Sequence, residues 1–403
     1  MDMVDDSIGK RIATYRRRRG LSQAALAGLI GRSESWLSQV ERGVRSVDRM
    51  SVLLDLSRLL HVEVQALTGT PWQLAPNGGQ RAEGIENVRT ALNQYTGLLG
   101  GNDTIPELGE LRRSASEAHA NYQAARYASV VRDIPTLIAN ADAALLHAST
   151  DDREAALSYV ETYVVASKLL TKLGVGDLGA VTADRAAMAA GRASSPAAQG
   201  MAVYQVVTAL LRSDQVDQAE QLAMRMAQQL GPAVRSDDPA LVSVTGALWL
   251  IAAVIAARRT ERWEAERRLA EASTLADLLG HDANYAWTAF GPTNVAIHRV
   301  SVAAELGNPG AALDAAAAVD LDALPTGLQS RRAQVNLDLA WAQSQRRRDA
   351  EATLNLLAAE KAAPEAVAQN VVARESMRTM LARAKRGKGN ALQALATRSG
   401  VLD

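Results

Sequence analysis

Residues 21–43 read LSQAALAGLIGRSESWLSQVERG, and the reading of this stretch decides how the chain folds at its start. Ser22 is placed to cap a helix from Gln23 to Ile30, and Gly31 supplies the turn that ends it. Ser33 is placed to cap a second helix that runs to Arg42 and stops at Gly43. Ala27 is small enough to let the two helices cross closely. Leu26, Ile30, Leu37 and Val40 provide the apolar anchors between them. Outward from this pair, a helix precedes it over residues 7–19. Asp48 opens a fourth, with Leu53, Leu56, Leu59 and Leu60 on one face, and residues 63–67 make a last turn. Five short helices and no strand period are expected here.

The pattern closely resembles the lambda-repressor/Cro class of helix-turn-helix domains, the XRE family. The family's Ser/Thr-Gln, Leu-Ala, Gly, Ile/Leu-Ser and Glu-x-Gly are matched at Ser22-Gln23, Leu26-Ala27, Gly31, Leu37-Ser38 and Glu41-Arg42-Gly43. Ala25 departs from it, standing where the family often has Glu. The resemblance covers about 60 residues and implies that the segment from Ser33 to Arg42 enters the major groove of double-stranded DNA. By position, Glu34, Ser35 and Gln39 are then base readers, with Ser33 and Ser38 beside them. Gln39 suits adenine and Glu34 suits a cytosine amino group. Gln23 at a helix N-terminus is expected on a phosphate. Arg32, Arg42 and Arg45 are expected to act as phosphate clamps. Arg16 to Arg19 read either as a solvated helix end or as further phosphate contacts. Trp36 reads as core rather than as a base-stacking residue.

Charge supports a polyanion partner for this end alone. Of 403 residues, 44 are Lys or Arg and 44 are Asp or Glu, yet residues 1–70 hold eleven basic against eight acidic side chains. The remainder is correspondingly acidic. The chain has no Cys, which removes disulfides, thiolate zinc sites and Cys nucleophiles together and fits a reducing, cytoplasmic location. Its start, MDMVDDSIGK, lacks the apolar core of a secretory signal. Hydrophobic residues make up 48% but aromatics only 4%, so the apolar content is Ala, Leu and Val, which favours helix. One uncharged run of 19 residues, from Pro239 to Ala257, approaches membrane-spanning length. Its Pro239, Ser243, Thr245 and Gly246, and the amphipathic segments flanking it, predict a buried central helix and no membrane.

Residues 69–84, GTPWQLAPNGGQRAEG, carry two Pro and four Gly and no periodicity. They divide the chain into a domain over 1–69, a linker over 70–84 and a helical region over 85–403. In the last region helices alternate with short turns, and similar phrases recur. Aligning Ala183, Ala219, Ala265, Ala311 and Ala350 gives spacings of 36, 46, 46 and 39 residues. This is a degenerate helix-hairpin repeat whose pairs bury a core only by stacking into a right-handed arc with a concave face. The repeats resemble tetratricopeptide arrays, without the full Trp-Leu-Gly-Tyr signature. Such an array behind a helix-turn-helix domain resembles the peptide-pheromone receptor regulators of Gram-positive bacteria and a large set of actinobacterial regulators. Residues 286–313 look most like the latter. The fold class expected is therefore all-α, a five-helix lambda-repressor-like domain followed by an α-solenoid.

Gly291-Pro292 starts a helix on which Asn294, His298, Ser301 and Glu305 form one polar stripe. Val295, Ile297, Val300 and Val302 are apolar around it. The stripe reads either as a solvated outer face or as the wall of an internal groove, in which Trp287 and Phe290 supply an aromatic side. Gly174-Val-Gly-Asp-Leu-Gly179 matches the dinucleotide fingerprint G-x-G-x-x-G, but a helical segment precedes it where a strand is required, so it reads as a hairpin turn. The five His (His61, His119, His147, His281 and His298) never fall at metal-ligand spacing. No metal, cofactor or catalytic constellation is expected. The function expected is a homodimeric, sequence-specific regulator of transcription on a pseudo-palindromic operator, tuned by a small-molecule or peptide effector in the array. The alternative is a DNA-tethered scaffold whose array binds a partner protein.

Overall fold

The computed structural model describes residues 7–402 apart from 20, 48–49, 61, 63–66, 69–77, 96–105, 150–151, 214 and 385–389, and every regular element among them is helical. The first four helices are α1 (Ile8–Arg18), α2 (Gln23–Leu29), α3 (Glu34–Glu41) and α4 (Met50–Leu60). Ser7, Ser22 and Ser33 cap the first three, their hydroxyls accepting from the backbone N–H of Lys10, Ala25 and Trp36. Gly31 and Gly43 take φ of +63° and +71° just past α2 and α3, the left-handed positions that a Cβ disfavours. Ile8, Ile12, Leu26, Leu37, Val40, Leu53 and Leu56 form a separate core for this unit. Asp48 and the fifth-helix residues 63–66 lie outside the described residues.

A further helix, α5 (Gly78–Leu92), begins inside the stretch expected to be a linker over 70–84. Its Val88 and Leu92 are buried in the core of the helical region. The composition of residues 78–84 hid a helix that tertiary packing stabilises.

Hairpins follow in order: α6 (Leu108–Gln123) with α7 (Tyr127–His147), α8 (Arg153–Lys172) with α9 (Gly176–Ala190), and α10 (Pro196–Arg212) with α11 (Val216–Leu230). Next come α12 (Pro239–Arg258) with α13 (Arg262–Leu279), α14 (Pro292–Glu305) with α15 (Pro309–Ala316), and α16 (Gln329–Gln345) with α17 (Asp349–Ala362). The short α18 (Pro364–Gln369), α19 (Val371–Arg383) and α20 (Asn390–Arg398) close the array. One backbone device repeats in these six hairpins. The N–H of Arg126, Val175, Gln215, Glu261, Asn308 and Arg348 each donates, at 2.9 Å, to the carbonyl five residues earlier. The residue before the donor is left-handed at Ala125, Gly174, Thr260, Gly307 and Arg347. This is the Schellman ending, made at these five turns three times without glycine and twice with it.

The fourth residue of each later outer helix is small and buried: Gly179, Ala219, Ala265, Ala312 and Ala352. The alignment on Ala183, Ala311 and Ala350 is thus corrected by one turn, one residue and two residues. At Gly179 a Cβ would stand 2.7 Å from Thr171 Oγ1, so the inner helix of that hairpin fixes the need for glycine. The same observation places the G-x-G-x-x-G run in a helix-to-helix turn.

Successive even-numbered helices from α6 to α16 pack on one another as an inner row, with the odd-numbered ones outside. The row curls until its first hairpin meets its later turns. Gln123 and Asn284 pair amide to amide, and Glu365 accepts from the N–H of Ala128. α12 is long and apolar enough to cross a membrane, but 89% of its most apolar window is buried against the rest of the chain.

Candidate functional site

On α3, Leu37 and Val40 face the core, while Glu34, Ser35 and Arg42 are exposed and Ser38 and Gln39 half-exposed. One helical face is therefore polar and open, of the width a major groove accepts. Gln39 lies 3.4 Å from the Ser35 hydroxyl, and Arg42 donates to the Ser38 carbonyl at 3.2 Å. Ser33 caps the helix, which occupies its hydroxyl as an acceptor. Arg45 is exposed beyond the helix, and the Arg32 guanidinium sits 5.6 Å over the half-buried Trp36 ring. Trp36 itself packs against the small core.

Two basic-end readings change. Arg16 is neither a solvated helix end nor a phosphate contact: it is buried, bonded through Nε and Nη2 to both oxygens of Glu41 at 2.5 and 2.9 Å. Gln23, expected on a phosphate, turns its amide inward to Glu41 Oε2 at 2.6 Å. Burial opposes the charge on Glu41, but the bonds from Arg16 and Gln23 and the nearby charge of Arg17 outweigh it and hold its carboxyl below the usual range. Arg16 also donates to the Leu21 carbonyl at 2.7 Å. One buried bidentate pair thus ties α1, the start of α2 and the end of α3 together, and so aims the exposed face of α3.

The inner row of the array encloses a cavity of about 1090 Å³. His298, Ser301 and Glu305 of the expected stripe line it, as does Trp287. Phe290 and Asn294 do not. Phe290 is fully buried over Gly246, where a Cβ would come within 2.0 Å of its ring, so it serves the core instead of an aromatic wall. Asn294 lies 1% exposed, its carbonyl held 2.8 Å from His298 Nδ1. Three members of the stripe share the cavity side of α14, and the first is buried one turn before them.

Trp287 is held by a built clamp. Its indole stacks on His119 at 4.7 Å and 5°, and its carbonyl accepts from Lys168 Nζ at 2.9 Å and Gln123 Nε2 at 3.1 Å. Ala286, Trp287 and Ala289 all have positive φ, between 49° and 57°. Strain of this kind in three nearby residues persists only where surroundings over-determine it, and it concentrates at ligand sites.

The sequence reading missed the ionisable groups beside these residues. Lys168 and Lys172 come from α8, Arg212 from α10, Arg331 and Asp338 from α16. Burial, with Arg331 nearby, pushes Lys168 down to about 7, and burial with Arg212 and Arg331 pushes Lys172 to about 8. Burial also raises Asp338 to about 7, against bonds from Ser301 at 2.6 Å and Gln334 at 2.8 Å. Burial beside Arg331 lowers His298 to about 3, so it is neutral. A cue existed in the polar spacing of Tyr204, Thr208 and Arg212 on the largely apolar α10; the matching spacing of Arg331, Gln334 and Asp338 is hidden on α16, which is polar on other sides as well. Ser57, Val62 and Thr68 of the N-terminal unit line the same cavity.

Comparison with known proteins bears on part of the chain. A helix-turn-helix domain family matches residues 7–68. The HTH-type transcriptional regulators SinR of Bacillus subtilis and Bacillus licheniformis are each 32% identical to this chain over 85 residues, 21% of this chain and 77% of the relative.

Proposed function

We propose that this chain, which belongs to the helix-turn-helix transcriptional regulators, is a ligand-responsive member acting as a homodimer in the cytoplasm. Each protomer reads one half-site of a pseudo-palindromic operator through Glu34, Ser35, Ser38 and Gln39, with Arg32, Arg42 and Arg45 on the flanking phosphates. The half-sites lie roughly 34 Å apart. The array performs no chemistry in this reading. It holds the effector and biases the seat of the DNA-reading unit.

The observation that carries the reading is the shared wall. Residues Ser57, Val62 and Thr68 of the DNA-reading unit line the same cavity as the inner helices of the array. Val371 at the start of α19 packs against the small N-terminal core. An occupant that contacts both sides binds one seating better than another, and that differential affinity is the whole of what a ligand contributes to a switch.

The test is selection of bound duplexes from a random library with the full chain, followed by sedimentation of the complex. Two inverted half-sites one helical turn apart, bound by a dimer, are expected. Enrichment of a single half-site by a monomer overturns the dimer reading, and no enrichment overturns the DNA-reading assignment.

A further inference from the structure

We infer that the central cavity takes an organic anion, an apolar body bearing a carboxylate, sulfonate or phosphate group, seated against Lys168, Lys172, Arg212 and Arg331. The inference deepens the effector reading above and rests on it for its regulatory meaning. Its binding chemistry stands apart.

The charges lining the cavity do not cancel. Its cations are Lys168, Lys172, Arg212, Arg258 and Arg331, and its carboxylates are Asp177, Glu305 and Asp338. Glu305 is bonded to Arg258 at 3.1 Å, and Asp177 to Arg89 at 3.2 Å on the outside. Asp338 is engaged by Ser301 and Gln334. No carboxylate among the described residues pairs with the other four cations. Lys168 is bonded to a neutral carbonyl, and Arg331 stands beside the Tyr204 hydroxyl. Arg212 stands with much of its surface open although protein surrounds it, which is the condition of a side chain inside a cavity.

Helix ends supply only part of the missing charge. Lys172 and Arg212 lie in the last turns of α8 and α10, where the dipole offers each end about half a negative charge. Arg331 has the opposite placement, in the first turn of α16, where the dipole repels it. Burial lowers both lysines, Arg331 adds to the effect on each, and Arg212 adds to it on Lys172. An unbalanced cationic cluster in a partly dry site is costly, and an incoming anion relieves it. The other part of the lining, including Met201, Val244, Ile251, Val254 and Leu337, is aliphatic and accepts the apolar body. The volume exceeds that of most drug-sized sites, so a molecule of that size fits with room for its charged head.

The probe pair for the test is 8-anilinonaphthalene-1-sulfonate and N-phenyl-1-naphthylamine, the same aromatic frame with and without the anion. Fluorescence titration of the full chain, with stoichiometry from calorimetry, is expected to show one sulfonate per chain and binding of the neutral probe at least about tenfold weaker. Lys172→Gln with Arg212→Gln should weaken the sulfonate about tenfold or more and leave the neutral probe unchanged, which also reports an intact cavity. Lys172→Arg should retain the sulfonate. Equal affinity for the two probes, or an unmoved sulfonate affinity in the double variant, overturns the inference.

Displacement separates two sources of the anion. Decanoate competing with the sulfonate identifies a small organic acid. Acetyl-Leu-Leu-Leu competing as the free acid and not as the amide identifies a peptide terminus, and both results uphold the inference. Equal competition by acid and amide overturns it. Affinity for the selected duplex with the cavity saturated reads the regulatory role separately. If it is unchanged while sulfonate binding still depends on charge, the effector reading fails and the anion site stands.

Discussion

Gly9 on α1 shows how a single residue sets the DNA-reading unit. A Cβ there would stand 1.9 Å from the carbonyl oxygen of Val40, a backbone atom that cannot step aside. Gly9→Ala is therefore expected to force α1 off α3 and cost about 1–3 kcal/mol. Gly28 on α2 has nothing within 4 Å of its added Cβ, so Gly28→Ala should gain about 0.5–1 kcal/mol through helix propensity and chain entropy. Thermal denaturation of the two variants side by side checks both signs, and a neutral Gly9→Ala would sink the contact argument. Glu41 supplies the pH dependence of the same unit. Its folded pKa lies below its ordinary 4.5, so the folded state binds fewer protons there than the unfolded chain. The stability it contributes is present above 4.5 and disappears as pH falls through the depressed value. Glu41→Ala should remove that acid-side slope and, by leaving Arg16 buried without its partner, cost about 3–5 kcal/mol.

At the scale of the element, α3 divides its work between two kinds of residue. Gln39→Ala is expected to weaken binding to the selected duplex by about 1–3 kcal/mol and relax preference at one base pair. Arg42→Ala should weaken binding to all duplexes alike and flatten the salt dependence by about one counterion. Titrations at several salt concentrations on selected and scrambled duplexes separate the two, and identical profiles would remove the division. Much of this element was legible beforehand because its signals act over three or four residues: Ser33 caps Trp36, Gly43 ends the helix, and Leu37 and Val40 alternate with the open face. What was not legible depends on a distant partner. Arg16 and Gln23 look like surface groups until Glu41 is folded against them, and Phe290 looks like a cavity wall until Gly246 is under it. Hairpin turns show the same limit, since left-handed Ala125, Thr260 and Arg347 carry no glycine to announce them. Arg347→Gly should relieve that conformation and raise stability by about 0.5–1 kcal/mol, measurable by chemical denaturation.

On the scale of the whole molecule, stacking made the cavity, and stacking is what the sequence conceals. The repeat and its concave face follow from periodicity. The gathering of Lys168, Arg212 and Arg331 follows only from how far the inner row curls. In the reading above, that curl couples the uptake of protons to the binding of an organic anion at one site. Facing it are Lys168 and Lys172 from α8, Asp177 from α9, Arg212 from α10, Arg258 from α12, His298 and Glu305 from α14, and Arg331 and Asp338 from α16, with Asp177 tied to Arg89. His298 is already neutral, and Glu305 is tied to Arg258. Tyr122 beside them is pushed up to about 12 and stays protonated. The groups that change near neutrality are Lys168 at about 7, Lys172 at about 8 and Asp338 at about 7. Raising the pH removes two positive charges and adds one negative charge, so all three disfavour an anion. A bound anion conversely raises the lysine values, and binding takes up protons. Affinity for the naphthalene sulfonate should thus fall roughly tenfold or more between about pH 6 and pH 9, while the neutral amine stays level. Lys168→Arg with Lys172→Arg should flatten most of that fall, because arginine keeps its charge throughout. A sulfonate affinity that is level with pH, or that falls in step with the neutral amine, would mean that the buried lysines do not meet the ligand.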